Sequence, residues 1–163
     1  MRMRVAVAVL LLLAMPAIGL TQGQRGTPHE KILEFGTMVG VAGPFRGSTN
    51  NIRGINGAGA PWTLTSAKGE LKTNGVLEIS VRGLVLVSTG VNPVATFRAA
   101  VSCLTTDASG TAAATSNILT DPFPATTTGD ADIEAFVALP TPCIAPIVFV
   151  TSPGGSWFAV TGR

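Results

Sequence analysis

Along most of the chain, apolar and polar residues alternate in short runs broken by Gly, Pro, Asn and Asp, and no helical period is sustained beyond the N-terminal region. This pattern predicts half-buried β-strands. In Val76–Arg82, residues Leu77, Ile79 and Val81 point to one side and Glu78, Ser80 and Arg82 to the other, so one face packs and the other is wet. The preceding Asn74-Gly75 pair predicts a tight hairpin with two positive-φ residues and makes 62–71 the antiparallel neighbour. Phe97, Ala99, Val101 and Cys103 form a second inward row. Ala131, Ile133, Ala135, Val137 and Leu139 form a third, opposed by Asp130, Asp132 and Glu134 and ended by Pro140. Apolar residues at 147–150, the turn Pro153-Gly154-Gly155 and a return over 157–160 predict a central hairpin.

Two regions carry mixed signals. Thr27-Pro28-His29-Glu30 has capping-box spacing with proline at the first helical position, but a strand through 32–41 fits the surrounding alternation better. The stretch 105–128 is rich in Thr, Ala and Ser and poor in large apolar residues, the composition of a long connection or an exposed edge strand. Burying all the inward rows predicts an all-β fold, an antiparallel two-sheet sandwich of Ig-like or Greek-key type with about seven to nine strands.

Arg2 and Arg4 followed by the apolar run from Val5 to Ala14 read as a secretory signal peptide, which sets the expected organisation as 1–23 signal and 24–163 a single domain. No cysteine follows the run to accept a lipid, so a released extracellular or periplasmic protein is expected. In that compartment the only two cysteines, Cys103 and Cys143, are expected to form a disulfide, which stabilises by about 3 to 4 kcal/mol on the chain-entropy model. Removing Arg2 and Arg4 from a chain of net charge +2 leaves nine basic residues against nine acidic ones. Neutrality without a basic cluster offers nucleic acid or an anionic membrane no electrostatic footing.

The residue inventory is poor in catalytic groups, with one histidine, His29, and no tyrosine. A Ser-His-Asp arrangement would have to recruit that histidine near the signal junction, and a His-ligated zinc lacks ligands, so no catalytic residue, metal or cofactor is assigned. Asp130, Asp132 and Glu134, with Glu70 and Glu78, could support glycoside hydrolysis only if two of them converge in a cleft; a solvated sheet face is the simpler reading. No Asp-x-Asp-x-Asp-Gly calcium loop occurs. The stretch 54–62, GINGAGAPW, lacks the Lys-Ser/Thr pair of a phosphate loop, and Pro61 removes a donor, so a structured loop is expected. Trp62 at its border is the expected exposed aromatic for a sugar ring, with Arg53 and Asn56 as polar ligand contacts and Arg46 nearby. Trp157, beside Phe158 in an apolar strand, is expected inside.

Through Ala67-Lys68-Gly69-Glu70-Leu71, Gly83-Leu84-Val85-Leu86, Asn92-Pro93-Val94 with Thr96-Phe97-Arg98, and Pro142-Cys143-Ile144-Ala145-Pro146 to Trp157, the chain resembles small secreted bacterial β-sandwich proteins of unknown function. The resemblance covers nearly all of the region after the signal and implies a secreted domain with this cysteine pair, without an activity. The segment from Gly69 to Leu84 also resembles extracellular modules of the chordin-domain type, but their His-x-His feature is missing and nothing is carried over. The expected function is a secreted, non-enzymatic binding or structural module recognising a polysaccharide or a protein through end loops, especially 54–62. One alternative is self-association through an exposed strand edge in the Thr/Ala-rich segment, and a second is a carboxylate-based hydrolase.

Overall fold

The computed structural model describes residues 30–107, 109–110 and 113–161. The segment 1–23 expected to be a signal peptide, His29 and most of the capping-box stretch therefore lie outside the described residues.

Where alternation gives one apolar face, the chain forms strand. In β4 (Ser66–Lys72) and β5 (Val76–Arg82), Ala67, Leu71, Leu77, Ile79 and Val81 are buried and Lys68 and Glu78 face solvent. The two strands pair antiparallel with Leu71 opposite Leu77. Their turn departs from the expected two-residue form. Only Gly75 has positive φ, at 88°, and its N–H donates to the Lys72 carbonyl at 2.9 Å, so the connection has three residues and ends in a left-handed glycine. Asn74 instead uses Oδ1 to accept the Val76 N–H at 3.2 Å. The partner strand begins at Ser66; Trp62 and Thr63, expected to lie in it, form β3 (Trp62–Thr63) in a separate ribbon with β6 (Val85–Leu86).

The first sheet is completed by β1 (Lys31–Phe35) on one edge and β10 (Ala131–Phe136) on the other, in the order β1-β4-β5-β10. The second runs β2 (Met38–Gly40), β12 (Trp157–Thr161), β11 (Ile144–Thr151), β7 (Thr96–Thr106), β8 (Ala113–Leu119), and β9 (Phe123–Pro124) follows β8 along β7. Every pairing between these strands is antiparallel. Leu71, Leu77, Ile79, Val81 and Ile133 of the first sheet meet Phe97, Ala99, Val101 and Val150 of the second in one core, closed by Trp62 and Phe158. This is the expected antiparallel sandwich, with twelve strands among the described residues rather than seven to nine. The excess lies in β2, β3, β6 and β9, which are too short for a two-residue period to show.

Cys103 in β7 is bonded to Cys143, just ahead of β11, with Cα atoms 5.0 Å apart. The expected disulfide is therefore present. It joins strands that already pair, and Cys103 is wholly buried beneath them.

Candidate functional site

The glycine stretch 54–62 is part of the scaffold. Ile52 and Ile55 exchange backbone hydrogen bonds at 3.1 and 3.0 Å around Arg53 and Gly54, whose φ values of 50° and 83° match a primed hairpin turn. Farther on, Ala58 N–H donates to the Trp157 carbonyl and Trp157 N–H to the Asn56 carbonyl, each at 2.9 Å, so this loop lies along β12. β7 is consequently buried on both faces: Ala100 and Ser102 are as inaccessible as Phe97 and Val101.

The three residues expected to contact a ligand here have structural positions. Trp62 is only 5% exposed and stacks on Phe158 with ring centroids 3.8 Å apart, so the exposed-platform expectation fails. Its indole fills the gap between the sheets, where an aromatic ring contributes more by burial than at a loop rim. Arg53 is half-buried and donates through Nη1 to the carbonyls of Ser102, at 3.0 Å, and Ala145, at 2.8 Å. Arg53 and Ala145 are the described non-glycine residues at positive φ, and this bond ties the two left-handed sites together across β11 and the loop. Asn56 is exposed, and its carbonyl holds β12. Arg46 donates to the carbonyl of Gly43 at 3.3 Å. Trp157 is buried as expected.

The carboxylates gather on the outer face of the first sheet. Register sets Glu34 opposite Glu70, Glu70 opposite Glu78 and Glu78 opposite Glu134, a row across four strands at the usual interstrand spacing of about 4.8 Å. With Lys68, Ser80 and Asp132 they line a shallow depression of about 300 Å³. Like charges set side by side repel, and lysines interleave to offset this. Lys31 bonds Glu70 at 2.6 Å and Glu34 at 3.2 Å, while Lys72 bonds Glu70 at 2.9 Å and Glu78 at 3.3 Å. Hydrogen bonds from Lys31 and then Lys72 hold the Glu70 carboxyl below its ordinary pKa, and both lysines are raised in turn. Asp132 is lowered by the Ser80 hydroxyl, at 2.8 Å, and next by Arg82. Asp130 stands apart from the groove: its carboxylate accepts the Gly83 N–H at 2.9 Å and the Thr128 hydroxyl at 3.0 Å, closing a turn.

A carboxyl acting as general acid must be kept protonated near neutrality, whereas Glu70 and Asp132 are held below their ordinary values, which suits neither of these two to that role. Among the described residues no acidic cluster has the geometry of a metal site.

The third feature is the edge of the second sheet. Three of the four described edges of the two large sheets discourage another strand: β1 carries Lys31, Glu34 and a bulge, β10 presents Asp132 and Glu134, and β2 has three residues. β8 has seven residues, AATSNIL, with no charge, proline or glycine. Thr120 N–H donates to Ala99 C=O at 2.9 Å, so in the alternating antiparallel pattern Ala114, Ser116 and Ile118 also face β7. The N–H and C=O groups of Ala113, Thr115, Asn117 and Leu119 then point off the sheet. Composition had marked this segment as a connection or an edge; only pairing with β7 decides for the edge. No signal in the chain announced the glutamate row, because its members come from four separate strands.

Comparison with protein-family models, with curated proteins and with solved structures returns no match. Fold and geometry alone therefore bear on function, in keeping with the resemblance to a group without an established activity.

Proposed function

We propose that this chain is a non-catalytic binding or structural module that takes up a protein partner by adding a strand to β8. The observation that supports it is an edge with which, among the described residues, no strand beyond β7 pairs. Backbone groups that bond in water gain little by pairing, but a preformed strand lowers the ordering cost for an extended partner, and uncharged side chains leave nothing to repel it. A secreted or envelope-associated setting belongs to the same proposal. The Cys103–Cys143 disulfide suits an oxidising compartment, and no helix among the described residues is long and apolar enough to cross a membrane.

The test is titration of the purified protein with a labelled synthetic peptide of sequence AATSNIL, with amide hydrogen exchange read at Ala113–Leu119. Saturable binding with slowed exchange at Thr115 and Asn117 is expected. It should vanish in Thr115→Pro, which removes a donor that β7 does not use. Unchanged exchange throughout β8 would discard strand addition.

A second reading, binding of a polyhydroxylated ligand, draws on the outer face of the first sheet, where Phe136 is 72% exposed one pleat from Glu134 and the charged depression. Polysaccharide binding that Phe136→Ala abolishes and Thr115→Pro leaves intact would move recognition to that face.

A further inference from the structure

Folded about Ser116, β8 is its own complement. An antiparallel copy in that register sets Ala114 against Ile118, Thr115 against Asn117 and Ser116 against itself, and every outward N–H and C=O of the segment meets its counterpart. We infer that the partner strand is β8 of a second copy of this chain, paired about a two-fold axis through Ser116. This rests on strand addition at β8.

Three observations favour a second copy over a different chain. Half-buried Ala114 and Ile118 alternate with exposed Thr115 and Asn117, so the two-fold pairs apolar with apolar and polar with polar on each face. The segment carries no charge, so identical copies approach without repulsion, and the flanking Asp107 and Asp121 fall outside the paired residues. The same operation at β10 about Ile133 would set Asp132 against Glu134, so the molecule rejects self-pairing at the edge where it is acidic and permits it at the edge where it is neutral. The result is one continuous sheet through both copies. An interface one strand wide is small, which makes the association weak and concentration-dependent rather than obligate.

Sedimentation of the purified protein across a concentration series tests the pairing, and cysteine cross-linking tests the register. The register requires Thr115→Cys of one copy to lie opposite Asn117→Cys of the other, with Cα atoms about 5.5 Å apart, within disulfide reach. Both positions are on the outer face, away from the native disulfide, whereas Ser116 lies directly opposite Cys103. The expected results are a reversible monomer–dimer equilibrium, its loss in Thr115→Lys with an unchanged circular dichroism spectrum, and covalent dimer in an oxidised mixture of the two cysteine variants well above either alone. A dimer that survives both Thr115→Lys and Thr115→Pro overturns the inference, as does equal cross-linking by each variant alone. A monomer throughout that still binds the AATSNIL peptide overturns self-pairing and leaves strand addition standing. A monomer that binds no peptide removes both.

Discussion

Arg53 and Trp62 were legible as notable residues, but not for the reason their sequence context implied. Each borders a glycine-rich stretch, which read locally is an exposed loop; the loop instead covers the second sheet, so both residues work as fasteners. Replacing Trp62 with alanine removes a ring stacked on Phe158, and a loss of about 3 to 5 kcal/mol is expected in urea unfolding. In wild-type protein acrylamide should quench neither tryptophan strongly, since Trp62 and Trp157 are 5% and 2% exposed. Arg53→Ala releases the Ser102 and Ala145 carbonyls, and a loss of about 1 to 3 kcal/mol is expected, as for hydrogen bonds to a charged group. A tryptophan readily quenched, or an Arg53→Ala variant as stable as wild type, would contradict the buried-loop assignment.

At the scale of elements, the outer face of the first sheet couples stability to pH. Glu70 and Asp132 are depressed below ordinary values of 4.5 and 3.8, so on acidification the unfolded chain takes up protons first. Their contribution is present above those ordinary values and is lost as pH falls through the folded ones. Lys31 and Lys72, raised above 10.5, contribute below that pH and lose it as pH rises through their folded values. All four groups are solvent-accessible, so salt should shrink both effects. Urea midpoints measured from neutrality to about pH 3 should fall, and Glu70→Gln should flatten that limb; an unaltered slope would detach the lysine–glutamate row from stability. Inward rows such as Leu77, Ile79 and Val81 were readable strand by strand. The glutamate row was not, because alternation specifies the face of a residue and says nothing of its neighbour on the next strand.

For the whole molecule, the disulfide is the principal covalent constraint on the unfolded chain. It spans a separation of 40 residues, and its reduction should cost about 4 kcal/mol on the chain-entropy model while leaving the β-sheet circular dichroism signal in the absence of denaturant. A reduced protein as stable as the oxidised one would show that strand pairing alone restrains that loop. Because Cys103, in β7, lies directly opposite Ser116 of β8, reduction also tests the edge: an intact β8 should bind the AATSNIL peptide with or without the bond.

The sequence by itself determined the class of fold and the sidedness of its main strands, since alternation and turn residues act over a few positions and are local physics. It also determined the cysteine pair, because two cysteines permit one intramolecular pairing. Tertiary structure alone decided which strands are neighbours, that a glycine-rich loop buries the far face of one sheet, that four glutamates stand in line, and that β8 ends its sheet with no further strand paired to it among the described residues. Each of these depends on contacts between residues far apart in the chain, and such contacts are set by packing of the whole core rather than by any segment within it.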